Sequence, residues 1–551
     1  MNGRTLLKGG GCGLLLTLRY VKEGLGPSHL IVYFHRFPLT SIFLGVLIDL
    51  IVISFVASLV WGLIDRVERS NALWSVPLAG ILTLELHAGV YLYSRDWLDY
   101  SYPTWAALGG ILIVLALCLR SWSRRWFEGA VRLVGWSAVL WGFPLLFVLP
   151  ELAYMAVVTS DHEEASFSRS TPGTAAGPRI CWILFDELSY DQVYDHRASG
   201  LELPSFDRLY GESKVFGNVQ PAGDYTDIAI PSMLLGRPAS QMKSSIVGSL
   251  NLFMDDTRRW ERFDAGKTIF ADARRLGWTS AIVGWANPYC RLMADWVDEC
   301  YWLPEDDPVI RETNMDPDRS LAYNMASIPL QWLHAALPVG EFNGREYNGK
   351  WVALRQRHYE LAMERAKALI EESAIRFKFI HLPIPHPPAI FDRRTHTFSA
   401  RGSYLDNLVL ADAALGELLA KLEKTPEWPE TTLIVCGDHS WRPWIWKRLG
   451  LWTAEDEAAS KGRYDRRPLM TIHLPGERHG YAVSSEFPAV SLNAVVRGMM
   501  GVRTSENSTS HNAASFGNQA RVRNSERRST GTGPSVPGTG FASASNGSKR
   551  N

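Results

Sequence analysis

The sequence is poor in cysteine and has no excess of charge of either sign. Its 551 residues contain six cysteines, and Lys plus Arg and Asp plus Glu both number 57. So few cysteines exclude a disulfide scaffold, and no C-x-x-C pair with the spacing of a zinc site is present. Balanced charge, without a basic stripe interleaved with aromatic residues, excludes nucleic acid as the expected partner.

The cysteines lie in two kinds of surroundings. Cys181 and Cys436 sit inside apolar runs, where a small buried residue on a strand is expected. Cys290 and Cys300 flank a polar, Trp-rich connection, where they either close a short loop or remain two free thiols. A disulfide at that place would indicate an oxidising compartment.

Long apolar runs are concentrated in the first 158 residues. Residues 1–37 are a basic N-terminal segment around a short apolar piece, without a clear signal-peptide cleavage site. Longer apolar segments follow at about 38–64, 72–93, 103–119 and 134–158. A hydrocarbon core of ~30 Å requires ~17 to 25 residues, so residues 38–158 are predicted to form a membrane domain of about four transmembrane helices. A buried soluble helical bundle is the alternative.

The basic residues between the last two apolar segments set the expected orientation. The connection RSWSRRWFEGAVR carries Arg120, Arg124, Arg125 and Arg132, which places it in the cytoplasm by the positive-inside rule. The expectation is therefore a multi-pass protein of the cell (inner) membrane whose following domain is extracytoplasmic or periplasmic. The basic N-terminus indicates the opposite orientation, because an even number of spans leaves both ends on one side. Part of residues 5–35 is accordingly expected to be interfacial or re-entrant.

The rest of the chain divides into three parts by composition. Residues 159–178 are polar and contain Pro and Gly, which predicts a linker. Residues 179–502 alternate short β-rich runs with helical stretches and are expected to form the catalytic domain. Residues 503–551 consist largely of Ser, Thr, Gly, Asn and Arg, which predicts a disordered tail.

The alternating pattern from residue 179 predicts an α/β fold. The predicted strands are RICWILF, TSAIVGW, FKFIHLP, TLIVCGD and LMTIHLP, and the clearest helices are 351–374 and 404–424. Continuous apolar runs of this length indicate a mostly parallel central sheet flanked by helices. Ligands bind beyond the carboxyl ends of the strands in such sheets.

Candidate metal ligands follow two of these strands. Asp186 and Glu187 come directly after the first, and Asp438 and His439 come after TLIVCG. Desolvating two such groups together is costly unless a cation compensates them. A helix N-cap beside a surface charge is the alternative for either pair alone. The donors predict a divalent metal ion and do not choose among Zn, Mn and Ca.

Thr226, in the stretch PAGDYTDIAIPSM, is predicted to be a nucleophile at the start of a helix. An alkyl hydroxyl has almost no anionic form at neutral pH, and a helix N-terminus contributes only ~0.3 to 1 kcal/mol. Zinc lowers the pKa of bound water by roughly 8 to 9 units, worth ~12 kcal/mol. The metal is therefore expected to supply most of the activation.

Histidines supply further candidates. His381 and His386 lie in the proline-rich stretch FIHLPIPHPP, and His386 is the favoured catalytic group, suited to hydrogen-bonding an anion or protonating a leaving group. His381 and His479 are weaker candidates for substrate binding, and His473 is expected to pack.

Several motifs resemble those of the sulfatase-like branch of the alkaline phosphatase superfamily. They are ILFDELSYD, LPSFDRLYGESKVFGN and LIVCGDHS, within residues 179–501. The resemblance implies an alkaline-phosphatase/sulfatase-like α/β domain, with Thr226 as nucleophile and metal ligand and with Glu187, Asp438 and His439 as further metal ligands. Asp186 matches the acidic pair of sulfatases. Thr226 stands where sulfatases have the Cys or Ser of C-x-P-x-R or S-x-P-x-R, which excludes the usual sulfatase nucleophile.

The T-x-x-x-x-P-x-M spacing that begins at Thr226 resembles the membrane-bound phosphoethanolamine transferases. Lipoteichoic acid synthases share a Thr nucleophile and a multi-span anchor. This resemblance implies an enzyme that moves a phospho-linked headgroup from a membrane phospholipid onto Thr226, and then onto an extracytoplasmic glycan or lipid acceptor. A phosphodiesterase or phosphatase that hydrolyses its substrate is the second expectation. An inactive lipid-binding or signalling relative is the third.

Overall fold

The computed structural model describes residues 3–25, 39–66, 102–143, 177–244, 249–304 and 344–502, with a few short pieces between residues 83 and 168. The chain divides into two units, residues 1–493 and 494–551, and apart from the last helix the features below belong to the first. The predicted tail and almost all of the second apolar segment, 72–93, lie outside the described residues.

Strands are numbered here in chain order: β1 Ser166–Ser168, β2 Arg179–Asp186, β3 Lys214–Phe216, β4 Val219–Gln220, β5 Ala239–Ser244, β6 Leu250–Met254, β7 Arg259–Arg262, β8 Ser280–Ala286, β9 Glu299–Pro304, β10 Phe377–Pro385, β11 Phe391–Asp392, β12 Thr397–Phe398, β13 Thr431–Gly437, β14 Met470–His473, β15 Tyr481–Val483 and β16 Phe487–Pro488.

Helices are numbered in the same way: α1 Gly3–Leu25, α2 Leu39–Arg66, α3 Tyr102–Trp122, α4 Arg124–Gly142, α5 Pro204–Glu212, α6 Thr226–Leu235, α7 Ile269–Arg275, α8 Tyr289–Met293, α9 Gly344–Glu371, α10 Tyr404–Leu422, α11 Pro443–Arg448, α12 Ala454–Ser460 and α13 Leu492–Met500.

The central sheet has the strand order β1-β9-β8-β10-β2-β13-β14-β3-β15. The strands from β9 to β13 in this order are parallel to one another. Strand β14 is antiparallel to both of its neighbours, and the edge strand β1 is antiparallel to β9. The prediction of an α/β fold with a mostly parallel sheet is therefore confirmed.

Both faces of the sheet are covered, which explains why its central strands are apolar at nearly every position. Every residue of β2, β8, β10 and β13 is buried. On one face, Ile183 and Phe185 belong to a core cluster that also contains residues of α9 and α10. On the other face, the ring of Phe270 from α7 stacks on Phe377 at 4.9 Å. This packing fixes the strands whose carboxyl ends carry the site.

The predicted linker contributes one strand to the sheet. Within residues 159–178, strand β1 pairs Phe167 with Cys300 of β9. Cys300 is in turn joined to Cys290 by a disulfide bond. Of the two alternatives for these cysteines, the structure therefore has the closed loop. Cys181 and Cys436 are buried on β2 and β13, as their apolar surroundings predict.

One predicted span corresponds to a helix that is long and apolar enough to cross a membrane. Among the described residues this test is met by Leu44–Leu63 of α2, and Ala107–Trp122 of α3 forms a shorter apolar helix. Helix α1 packs along α2 where the predicted re-entrant segment lies. A Cβ at Gly9 would collide with Ser58, and one at Gly13 with Ser54, so these glycines allow close approach of the two backbones.

Candidate active site

Two neighbouring parallel strands bring the predicted acidic groups together. Strands β2 and β13 pair in register, with Phe185 opposite Gly437, so Asp186 and Asp438 leave the sheet side by side. A Cβ at Gly437 would lie 2.6 Å from the carbonyl oxygen of Leu188, and glycine therefore allows the two strand-end loops to meet. Asp186, Asp438 and His439 are all buried.

These three residues form a group that could hold a metal ion. Each offers a ligand atom, and the three ligand atoms lie within 4.8 Å of one another. His439 Nε2 is 3.5 Å from Asp186 Oδ1 and 3.3 Å from Asp438 Oδ2. The backbone carbonyl of Ser440 lies 3.1 Å from His439 Nδ1, so a hydrogen bond there leaves Nε2 as the nitrogen that faces the carboxylates.

Thr226 lies at this group, at the first residue of α6. Its Oγ1 donates a hydrogen bond to Asp186 Oδ2 at 3.1 Å and lies 3.3 Å from His439 Nε2. The side-chain amide of Asn287 donates to the backbone carbonyl of Thr226 at 3.2 Å. Helix α6 begins here because the preceding Tyr225 has extended backbone angles. The hydroxyl predicted to be the nucleophile is therefore within reach of the candidate metal ligands.

The electrostatics of the group favour a bound cation. Burial, together with the nearby Asp186 carboxyl, raises the pKa of Asp438 to about 7, while His381 opposes the shift. Burial also raises the pKa of Asp227 to about 6, and its Oδ1 has no hydrogen-bond partner. Several carboxyl groups are thus desolvated close together, an arrangement that a divalent cation would stabilise. The donors fit the divalent ion that the sequence predicts.

The carboxylate of Glu187 lies outside the group formed by Asp186, Asp438 and His439. Glu187 has a φ of +69°, in the left-handed region that non-glycine residues rarely adopt. Its backbone amide donates to Asp438 Oδ1 at 3.0 Å, whereas its carboxylate Oε1 accepts from the amide of Arg442 at 2.6 Å. Burial raises the pKa of Glu187 to about 8. The structure does not bring the Glu187 carboxylate into the group of Asp186, Asp438 and His439.

Arg442 is a site residue that the sequence reasoning missed. Its guanidinium is buried, with Nε 3.5 Å from Glu187 Oε1 and Nη1 donating to the carbonyl of Asp224 at 3.1 Å. It therefore connects the strand-end loop after β13 with the residues that precede Thr226. The available signal was its position four residues after Asp438 in DHSWR, where a lone arginine interrupts an aromatic stretch.

The two histidines of the proline-rich stretch both reach the site. His381 Nε2 is 3.7 Å from Asp186 Oδ2, and its Nδ1 is 3.0 Å from the hydroxyl of Tyr289. The backbone amide of His386 donates to the carbonyl of Asp186 at 3.1 Å. Burial lowers the pKa of His381 to about 4 and lowers the pKa of His386 as well, so both imidazoles are neutral at pH 7.

A buried arginine holds the His386 loop in place. Arg355 Nη1 donates to the carbonyl of Pro383 at 3.0 Å and lies 3.2 Å from His386 Nδ1, and its guanidinium lies 4.4 Å from the Trp285 ring centroid. Like Asn287 and Tyr289, Arg355 was not found from the sequence. Each of these residues acts through a contact with a distant part of the chain, and no local motif marks it.

His479 lies at the opposite edge of the sheet. It is exposed and lies two residues before β15, which is parallel to β3 and, through β14 and β13, to β2. Residues before β15 therefore lie at the edge where the parallel strands begin. His473 ends the antiparallel strand β14 at that same edge, where its ring stacks on Trp428 at 5.3 Å. The structure does not bring His479 to Thr226.

The matching family model agrees with this geometry. Residues 178–442, from the start of β2 to Arg442, match the model described as Sulfatase. These residues form a sulfatase-family domain. The match confirms the predicted resemblance to sulfatase-like enzymes of the alkaline phosphatase superfamily, whose members use divalent metals. A search of curated proteins gave no significant match.

Solved structures similar to the sulfatase-family domain include a protein in the alkaline phosphatase superfamily from Vibrio parahaemolyticus, at 15% identity over 61% of this chain and 70% of that one, with a TM-score of 0.35. Phosphonate monoester hydrolase of Agrobacterium radiobacter has 13% identity over 59% and 74%, with a TM-score of 0.32. Murine ectonucleotide pyrophosphatase/phosphodiesterase 5 has 11% identity over 60% and 97%, with a TM-score of 0.33. At these scores the structures add nothing to the family match.

Proposed function

We propose that this protein is a membrane-anchored, metal-dependent transferase of phospho-linked headgroups, with Thr226 as the nucleophile. The observation that carries the proposal is the placement of Thr226 Oγ1 beside Asp186 and His439 at the start of a helix. A threonine cannot be converted to the formylglycine of sulfatases, so this site favours phosphorus over sulfur. The donor would be a membrane phospholipid, and the acceptor an extracytoplasmic glycan or lipid.

Asp186, Asp438 and His439, with Thr226, would hold the divalent metal ion. The ion would lower the pKa of the Thr226 hydroxyl and neutralise charge on the phosphoryl oxygens. Asp186 Oδ2 accepts the hydrogen bond of the Thr226 hydroxyl and so orients the lone pairs of Thr226 Oγ1. The carboxylate of Glu187, bound by Arg442, would stabilise the loop that presents Asp186 and would not bind the metal directly.

The reaction would proceed in two balanced steps. Thr226 Oγ1 forms a bond to phosphorus and loses its proton while the bond from phosphorus to the lipid alcohol breaks, and that alcohol takes up one proton. The hydroxyl of the acceptor then forms a bond to phosphorus and loses its proton while the bond to Oγ1 breaks, and Oγ1 takes up one proton to restore the Thr226 hydroxyl. Because His386 is neutral at pH 7, it is suited to accept the proton of the incoming hydroxyl.

Two features support an extracytoplasmic position for the domain. The disulfide between Cys290 and Cys300 requires an oxidising compartment. Arg120 at the end of α3 and Arg124 and Arg125 at the start of α4 cluster at the junction of the two helices, which supports a cytoplasmic position for that junction under the positive-inside rule. The apolar helix Leu44–Leu63 supplies an anchor, to which the further predicted spans would add.

Mass spectrometry of the Thr226 peptide tests the proposal. The full chain, purified in detergent, is incubated with vesicles of phosphatidylethanolamine or of phosphatidylglycerol, and the mass added to the peptide identifies the transferred group. Thr226→Ser should retain an adduct because it keeps a hydroxyl, and Thr226→Ala should lose it. Thr395→Ala, an exposed threonine outside the site, is the matched control. An adduct of unchanged yield in Thr226→Ala would refute the proposal.

Hydrolysis is the second candidate function, because water would complete the second step equally well. The same preparation distinguishes the two. A hydrolase releases the phosphorylated headgroup continuously without an added acceptor, whereas a transferase stops after one turnover. An inactive relative would give neither adduct nor release, and it would not bind metal.

A further inference from the structure

Three exposed aromatic side chains belong to segments that adjoin the candidate site. Tyr225, Trp444 and Tyr464, named here the aromatic rim, have exposed fractions of 46%, 39% and 37%. Large aromatic residues bury much of their surface in most proteins, and exposed groups of them mark binding surfaces. We propose that the aromatic rim binds a sugar ring of the acceptor glycan to which Thr226 transfers the phospho-group; this inference rests on the proposed function.

The aromatic rim is continuous with the catalytic residues. Tyr225 directly precedes Thr226, and the guanidinium of Arg442 lies 5.3 Å from the centroid of its ring. Trp444 follows Arg442 by two residues and contacts Tyr464 edge to face, with 4.5 Å between ring centroids. These contacts connect the aromatic rim with Arg442 and with the residue that precedes Thr226.

Buried contacts next to Trp444 restrict the movement of this part of the aromatic rim. Arg442 caps α11 and is fixed by the Glu187 carboxylate, so Trp444 stands on a helix whose start cannot shift without breaking that contact. The neighbouring Ile445 and Trp446 are buried. Rigid aromatic side chains lose little conformational entropy when they bind a ligand, and this favours their use as anchors.

The charges beside the aromatic rim favour a sugar over a lipid surface or a free anion. Arg466 pairs with both carboxylate oxygens of Asp224, at 2.8 and 2.9 Å. This ion pair is neutral as a whole, whereas surfaces that bind anionic membranes present clusters of unpaired Lys and Arg. A sugar ring has apolar C–H faces that fit aromatic rings, and hydroxyl edges that an exposed ion pair can hydrogen-bond. The aromatic rim offers both kinds of contact side by side.

Saturation-transfer NMR with chitobiose, cellobiose and maltose tests the inference. The full chain is held in a detergent without a sugar headgroup and carries Thr226→Ala, so that binding is measured without turnover. Ring C–H protons of at least one disaccharide should receive saturation from the protein. The double variant Trp444→Ala/Tyr464→Ala should weaken binding roughly tenfold, since each aromatic contact contributes a few-fold. Trp444→Phe should retain most of it.

Trp260 supplies the matched control, because it is exposed to 40% on the separate sheet of β5, β6 and β7. Trp260→Ala should leave disaccharide binding unchanged. The inference fails if no disaccharide binds, or if the double variant binds as well as the parent. It also fails if the double variant loses only its binding to phosphatidylglycerol vesicles, which would make the aromatic rim a membrane contact. Sugar binding that depends on the aromatic rim, together with no Thr226 adduct in the parent protein, would refute the proposed function and the acceptor role of the glycan, and would leave the aromatic rim as a sugar-binding site.

Discussion

Buried charged groups have different surroundings at the two edges of the central sheet, the edge where its parallel strands end and the edge where they begin. At the edge where the parallel strands end, Asp186, Asp438 and Asp227 are carboxyl groups close to one another, and the buried Oδ1 of Asp227 has no hydrogen-bond partner. At the edge where the strands begin, the charged groups have partners in the protein. Arg179 donates to the carbonyl oxygens of Ser373 and Ile375, and Lys378 donates to that of Ile370.

The difference shows what each edge requires. Charges that are satisfied within the protein stabilise the fold without a ligand, whereas carboxyl groups crowded together depend on a cation from outside. Local composition alone does not separate the two edges, because both are rich in charged residues and histidine. The presence or absence of compensating partners identifies the functional edge.

Removing a candidate ligand should have the largest effect. Asp438→Asn deletes an anionic donor from the group and should lower metal affinity by more than the ~10- to 100-fold that loss of an outer partner costs. Formation of the Thr226 adduct should fall in parallel. Isothermal titration with zinc, manganese and calcium measures the affinity. An unchanged affinity in Asp438→Asn would contradict the comparison of the two edges.

The same variant should alter the pH dependence of the metal-free protein. Because burial raises the pKa of Asp438 from 3.8 to about 7, the folded state holds a proton that the unfolded state releases within that range. Stability in a chelator should therefore fall as pH rises from about 4 to 7, and Asp438→Asn should flatten the slope. Urea unfolding at pH 5 and pH 7 measures it. If the free energy of unfolding rises over this pH range in the parent but not in the variant, the raised pKa of Asp438 is contradicted.

Breaking the ion pair behind the site should cost stability. Above pH 8, where Glu187 is ionised, Arg442→Met leaves the Glu187 carboxylate buried without its cation and should lower the free energy of unfolding by about 3 kcal/mol. The double variant Arg442→Met/Glu187→Gln should recover part of the loss, because it removes the unpaired charge. Urea unfolding measures both. Glu187→Gln is also measured alone. If the losses of unfolding free energy in the two single variants sum to the loss in the double variant, the contribution of Glu187 to stability does not depend on Arg442.

Lys378, at the edge where the strands begin, should give a pH dependence of stability opposite in sign to that of Asp438. Burial lowers the pKa of Lys378 from 10.5 to about 8, so the folded state releases a proton that the unfolded state keeps between these values. Stability should rise with pH from about 8 to 10.5, by at most roughly 3 kcal/mol at 1.36 kcal/mol per pKa unit. Lys378→Met should abolish this rise and leave adduct formation intact. Thermal unfolding at pH 7.5 and 10 provides the measurement.

The smallest effect is expected at His479. It is exposed at the edge where the strands begin, so His479→Ala should change adduct formation by less than about twofold, within the ±0.5 kcal/mol usual for surface sites. His386→Ala, made at the other edge in parallel, should reduce it by about 10²-fold or more, as loss of a general base does. If His479→Ala and His386→Ala reduce adduct formation equally, the site is not confined to the edge where the parallel strands end.

The sequence by itself determined the fold class, the principal strands, and the positions of Thr226, Asp186, Asp438 and His439. These features follow from local patterns: continuous apolar runs form strands buried on both faces, and polar residues at their carboxyl ends meet at one edge. Only the tertiary structure decided the direction of the Glu187 carboxylate, the role of Arg442, and the edge to which His479 belongs. The first two depend on a contact across 255 residues, and the third on the reversal of strand β14. The aromatic rim also joins residues far apart in the chain, and no local pattern records such pairings.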